Sequence, residues 1–330
     1  MSELNEHRAG RLHGLWAMTN RELKKWYKAP VIFTLSIVQP IIWMGLLGKA
    51  MNISALFGGS TFTNSIMSQP GIITQFTKAL TTYGMTQTQA NLFLTSPNGI
   101  SGVFSGLGNA VLLSTFQTTS YFSFMAVGMI AFTALFTTAF SGMSVVWDRR
   151  LGFLNKALST PVSRGVIIFS KVLSATFRSM FQAGIIILIA IAFGLQFGAT
   201  FNPVYILGVF GILFLICVGL SSMFIAITIR STRIETPMAV MNLITLPLMF
   251  ASNTFFPTSI MPSWLKAVAN VNPMTYTTDA VRQLLIYNSI NWWGTVGGQM
   301  GVGLDFLYVG IFAVVVTSIG IALSWRFLSK

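Results

Sequence analysis

The chain has 330 residues, of which 53% are hydrophobic and only 8% charged, and its formal net charge is +13. That balance lies outside the range of soluble globular domains. A basic excess placed between long apolar runs is a membrane topology signal with an attraction to anionic headgroups, and it calls for no nucleic-acid partner.

Residues 1–30 read as a tail followed by an amphipathic elbow helix. From Arg11 to Lys28, Leu12, Leu15, Trp16, Thr19, Leu23, Trp26 and Tyr27 recur at helical spacing, with Arg21, Lys24, Lys25 and Lys28 opposite. Aromatic residues on one face and basic residues on the other suit the headgroup layer, so Trp16, Leu23, Trp26 and Tyr27 are the expected membrane-interface residues. Pro30 separates this helix from the first apolar run.

Six apolar runs follow, at Val31–Ala50, Tyr121–Val146, Met180–Phe197, Val204–Ile229, Pro237–Phe256 and Phe306–Phe327. Runs of about 18 residues or more read as membrane-spanning helices. The fold class expected is therefore an all-α membrane protein with six transmembrane helices over residues 31–330. Of 20 Lys and Arg, 16 fall on one face of this arrangement, which places both termini in the cytoplasm.

Between the first two runs lies a long, nearly uncharged outer loop, 51–120, expected to hold one or two short helices with a break near Ser96-Pro97-Asn98-Gly99. Between the second and third runs lies a charged island, 147–171. It sets Arg149, Arg150, Lys156, Arg164 and Lys171 against the single acid Asp148, and reads as a polar loop in water. Leu151, Phe153, Leu154 and Leu158 offer an apolar knob ringed by charge, the pattern of a docking hot spot. Between the fifth and sixth runs, residues 257–305 read as outer helices. Asn272 is an N-cap followed by Pro273 at the first helical position, and Tyr276 lies on one face of the helix that follows. Asp279 and Arg282 are three apart and are expected to pair.

Motifs for enzymatic chemistry are missing. His7 and His13 both lie in the tail, so no His-based metal site is expected. The GLLGKA segment from Gly45 to Ala50 lacks the spacing and the Ser/Thr of a phosphate loop. No acid or base lies near the centre of any expected span, which disfavours an ion-coupled carrier. No ordered polar ring of the kind a channel needs is evident either, although Thr133, Gln182, Asn242 and Asn253 are polar.

Three segments together are similar to the ABC-2 family of ABC-transporter membrane subunits, of the drug-resistance and the polysaccharide or lipid export branches. They are TNRELKKWYKAPVIFTLSIVQPIIWMGLLG, WDRRLGFLNKALSTPVSRGVIIFSKVL and LPLMFASNTFFPTSIMPSWLKAVANVNPMTYTTDAVRQLL. The resemblance implies a permease subunit in the cytoplasmic membrane, with no ATP site of its own and no cofactor. ATP and Mg would be bound by a partner ATP-binding cassette subunit. A second permease copy would complete the assembly, with membrane lipids around it. The island would carry a coupling helix near Gly152–Ser163 that docks the ATPase through Arg149, Arg150, Phe153, Leu154, Leu158 and Arg164. The helices after Pro257, with Asn272, Pro273, Tyr276, Asp279 and Arg282, would close the exit side. Phe- and Met-rich spans suit export of a hydrophobic or amphipathic, drug-like or lipid-like substrate, and polysaccharide or glycolipid export is the alternative.

Overall fold

The computed structural model describes residues 2–28, 30–50, 65, 68–69, 71–96, 99–159, 162–231, 233, 235–296 and 299–328. These are overwhelmingly helical. Helix α1 (Ser2–Tyr27) is followed by α2 (Pro30–Trp43), which continues as a π-helical stretch, Met44–Ala50. Within the expected outer loop come α3 (Ile72–Thr82), α4 (Gln87–Thr95) and α5 (Ile100–Val111). Thr86 and Gln89 form a reciprocal capping box at the start of α4. Helices α3 and α4 are the short helices expected before the break, and α5 follows it toward the second span. Positions 97 and 98 of the expected break, and 51–64 of the same loop, lie outside the described residues.

Next come α6 (Tyr121–Ala139), α7 (Ser141–Arg150), α8 (Phe153–Leu158), α9 (Arg164–Ala192), α10 (Tyr205–Thr228) and α11 (Glu235–Phe250). Helices α12 (Ser263–Ala269) and α13 (Pro273–Leu285) lead through a short antiparallel pairing, Thr295–Val296 with Gln299–Met300, to α14 (Val302–Leu328). Among the described residues four helical stretches are long and apolar enough to cross a membrane: Asn109–Arg150, Arg164–Ala192, Tyr205–Thr228 and Val302–Leu323. The first and fifth apolar runs form shorter α-helices of 14 and 16 residues, each with an internal proline, Pro40 and Pro247. A proline removes one ladder hydrogen bond and crowds the preceding turn.

Helix α6 is apolar on every side because it is the hub of the fold. All its residues except Phe136 and Thr137 are buried, and α2, α9, α10, α11 and α13 pack around it. A helix that is hydrophobic all round belongs at such a centre. A smaller core of Val145, Leu154, Ala157, Ile167, Ile168, Val172, Ile225 and Ile229 lies under the basic end.

The charged island differs from the expected loop. Helix α7 carries the second run as far as Arg150, and α9 begins already at Arg164 and ends at Ala192. The third run therefore stops short of Phe197, where Gly194 turns the chain at φ 94°. Helix α9 has 29 residues, a rod of about 43 Å, and it takes Lys171 and Arg178 into its interior.

Candidate functional site

The basic end is tied together by a knot of charge between three helices. Asp148 ends α7, Lys171 lies on α9, and Arg21, Glu22 and Lys25 lie on α1. Asp148, Lys171 and Glu22 are only 3%, 4% and 7% exposed. Lys171 Nζ is 2.5 Å from Asp148 Oδ2 and 3.4 Å from Glu22 Oε1. Lys25 Nζ lies 2.9 Å from Asp148 Oδ1 and 3.3 Å from Glu22 Oε1. Arg21 Nη1 is 3.0 Å from Glu22 Oε1. Each buried carboxylate thus meets several cations, the condition under which burying an ion pair is tolerated.

The chain reverses sharply beside this knot. Leu151 caps α7, and Gly152 adopts φ +69°, a left-handed conformation that favours glycine. Its N–H donates to the Arg149 carbonyl at 3.1 Å. Helix α8 then starts at Phe153, whose ring lies 3.1 Å below the Arg21 guanidinium. This cation–π contact fastens α8 to α1.

The expected docking residues separate into two groups. Leu154 is 2% exposed and packs into the chain's own smaller core, and Phe153 sits half-buried under Arg21. Leu151 stands outward at 74% exposure, Arg150 is exposed, and Arg149 and Arg164 are half-buried. The side chain of Leu158 lies outside the described residues. On α1, Trp16 and Tyr27 are exposed, Leu23 is half-buried, and Trp26 meets Phe181 of α9 edge-on at 5.8 Å. Sequence reasoning missed Glu22 and the burial of Asp148 and Lys171. The available signal was that no other acid stands between Glu6 and Asp148 than Glu22.

At the opposite end, the expected cap on α13 is present. The Asn272 side chain accepts from Met274 N–H at 2.9 Å, and its amide donates to the carbonyls of Leu248 and Ala251 at 2.8 and 3.1 Å. All 13 residues of α13 are buried. The expected Asp279–Arg282 ion pair does not form. Arg282 instead donates to the carbonyls of Asn253 at 2.5 Å, Thr254 at 2.8 Å and Phe124 at 3.4 Å, and lies 3.5 Å from the Phe124 ring centroid. Asp279 accepts from Gln283 at 3.2 Å. On a buried helix the fixed carbonyls of neighbouring segments outcompete an i,i+3 carboxylate, a pairing rule suited to exposed faces. Tyr276 donates to the Asn270 carbonyl and its ring packs 4.0 Å from that of Tyr308. Asp305 is fully buried beside Gln283.

Midway between the two ends, Gln182 of α9 donates to Ser36 of α2 and accepts from Thr137 of α6. It serves as an interhelical strut. Thr133 folds its hydroxyl back onto the Met129 carbonyl at 2.8 Å. Beside this strut, α2 and α6 enclose a cavity of about 270 Å³ lined chiefly by Leu35, Gln39, Phe132, Phe136 and Phe140. Among the described residues no three His, Cys, Asp or Glu side chains converge as a metal ion requires.

The profile described as ABC-2 type transporter matches residues 78–286, more than half of the 330 residues. The transport permease ycf38 of Porphyra purpurea is 32% identical over 213 residues, covering 61% of this chain and 71% of that protein. The ycf38 permease of Cyanophora paradoxa is 33% identical over 172 residues, 52% of this chain and 58% of that one. The daunorubicin resistance ABC transporter permease protein DrrB1 of Streptomyces coeruleorubidus is 23% identical over 172 residues, 51% of this chain and 59% of its own length. In two of these three relatives the match spans less than two thirds of the relative. The chain belongs to the ABC-2 type transporter family.

Proposed function

We propose that this chain is the membrane-spanning permease subunit of an ATP-driven exporter in the cytoplasmic membrane, with both termini in the cytoplasm. Its cargo is hydrophobic or amphipathic, and the daunorubicin-resistance permease among its relatives supports that class. Separate ATP-binding cassette subunits bind ATP and Mg and hydrolyse the nucleotide; this chain performs no catalysis. A second permease copy completes the pathway, and α13 with its Asn272 cap closes the exit side.

The observation that carries this reading is the fastening of α8 to three helices at once. A load on α8 passes through Phe153 and Arg21 to α1, and through Leu154 and Ala157, packed with Val145, Ile167 and Ile168 in the smaller core, to α7 and α9. Packed helices of this kind move as rods, so a displacement at the loop reaches the membrane interior. Leu151, Arg150 and Lys156 are the outward residues a partner meets.

Leu151→Asp tests the docking. It alters a 74% exposed side chain, so the fold is retained. Loss of a buried apolar anchor is expected to lower co-purification with a co-expressed ATP-binding cassette subunit about tenfold or more. Co-purification at the unsubstituted level would remove the docking assignment.

A further inference from the structure

The segment between the first two apolar runs carries almost no charge. Lys78 is the single charged residue of 51–120, whereas about a quarter of the residues in an ordinary soluble domain are charged. Helix α3, with the sequence IITQFTKALTT, sorts its side chains by polarity. Ile72, Ile73, Phe76, Ala79 and Leu80 fall within about 120° of arc, and Thr74, Lys78 and Thr82 lie on the opposite side.

No residue of α3 is buried. Helix α4 packs against it, and the Thr77 hydroxyl of α3 donates to Asn91 of α4 at 3.5 Å. That contact leaves the apolar stripe open. Ile73 and Phe76 are 47% and 38% exposed, and Ala79 is exposed as well. Tyr83, the C-cap of α3, follows Phe76 by seven residues, two turns on, and also stands outward.

The exposed apolar surface continues beyond α3. Val103 and Val111 of α5, and Leu113 just after it, are exposed too. From Asn109 the chain enters the stretch Asn109–Arg150, which is long and apolar enough to cross a membrane. That stretch reaches the charge knot at Asp148, so the α3–α4 hairpin adjoins the membrane face opposite the knot. Exposed apolar surface of this extent marks an interaction site. A lipid surface fits it, because the stripe is narrow and is backed by a polar face holding the one cation, the build of a helix lying in the headgroup layer. Tyr83 adds a ring with a polar tip, a side chain enriched at that level.

We propose that α3 is an interfacial anchor, which lays Ile73, Phe76, Ala79 and Tyr83 into the lipid leaflet opposite the charge knot and turns Thr74 and Lys78 to water. The anchor fixes the hairpin against the bilayer. Through α5 it also steadies the start of the hub helix α6, where the Phe116 ring lies 4.9 Å from that of Phe124.

The test uses the full chain alone in phosphatidylcholine nanodiscs, so its outcome is independent of the docking assignment. Cys217 is the single cysteine and is buried, so a spin label is directed to the thiol introduced by Ile73→Cys, Phe76→Cys, Thr74→Cys or Lys78→Cys. Each of these sites is exposed, and the fold is retained. Collisions with oxygen report lipid, and collisions with a water-soluble nickel chelate report water. The ratio of oxygen to nickel collisions is expected to be severalfold higher at Ile73 and Phe76 than at Thr74 and Lys78. Equal nickel access at every site would overturn the proposal, because the stripe would then face water. Shielding of Ile73 and Phe76 from both reagents would also overturn it and would assign the stripe to a protein surface, such as a second copy of this chain. Oxygen-dominated collisions at every site would overturn it as well, since the helix would then lie inside the bilayer and not at its surface.

Discussion

Lys171 holds the basic end in balance, because its ammonium reaches both buried carboxylates while its own side chain is 4% exposed. Its neighbours Arg21 and Lys25 are 31% and 44% exposed, so part of their attraction is screened by water. Lys171→Met therefore leaves Asp148 and Glu22 buried and under-compensated. A broken buried pair costs about 3–5 kcal/mol, which predicts a clear fall in thermal midpoint in detergent. A midpoint unchanged from the unsubstituted chain would mean that the knot contributes no stability. These partners were not legible in the sequence. Lys25 and Asp148 are 123 residues apart, and Glu22 and Lys171 are 149 apart. Only tertiary packing reveals that such charges leave water.

Helix against helix, α6 is the element on which the rest is assembled, and one close approach governs its fit. A Cβ built on Gly128 would lie 2.3 Å from the Thr254 carbonyl oxygen and 3.3 Å from Arg282 Nη2. That carbonyl is backbone and is also an acceptor of the Arg282 side chain, so it cannot yield without disturbing the buried guanidinium. Overpacking of this kind costs about 1–3 kcal/mol. Gly128→Ala is expected to lower the thermal midpoint and to speed proteolysis of the 252–255 segment; an unaltered midpoint would show that α6 and this segment part freely. Local chemistry was the readable part at this scale. Asn272-Pro273 announces the start of α13 because cap and first-turn preferences depend on neighbouring residues alone. The ends of the third apolar run were misread because hydropathy marks where a helix is apolar, whereas α9 continues as a helix through the polar residues before it. The apolar knob was misread in part for a related reason. Leu154 is hydrophobic because it fills the chain's own smaller core, leaving Leu151 as the outward member.

Across the whole molecule, the architecture joins a charged end, where α8 is pinned, to a capped and buried helix α13 at the other. The hub α6 and the long rod α9 connect them, with the Gln182 strut binding α2 into the same unit. The membrane character was legible at once, since apolar runs of this length have no place in a soluble core. The family was legible from three segments in the right order, two of which lie wholly or largely inside the matched stretch 78–286. The fastened loop is where the proposed ATP-binding cassette partner would deliver its energy. The most direct test is uptake of an amphipathic fluorescent cargo into inside-out proteoliposomes holding this chain and an ATP-binding cassette subunit. The account predicts uptake that needs ATP hydrolysis, persists when ion gradients are collapsed, and is lost with Leu151→Asp. Uptake without the ATPase, driven by an imposed proton or sodium gradient, would contradict it.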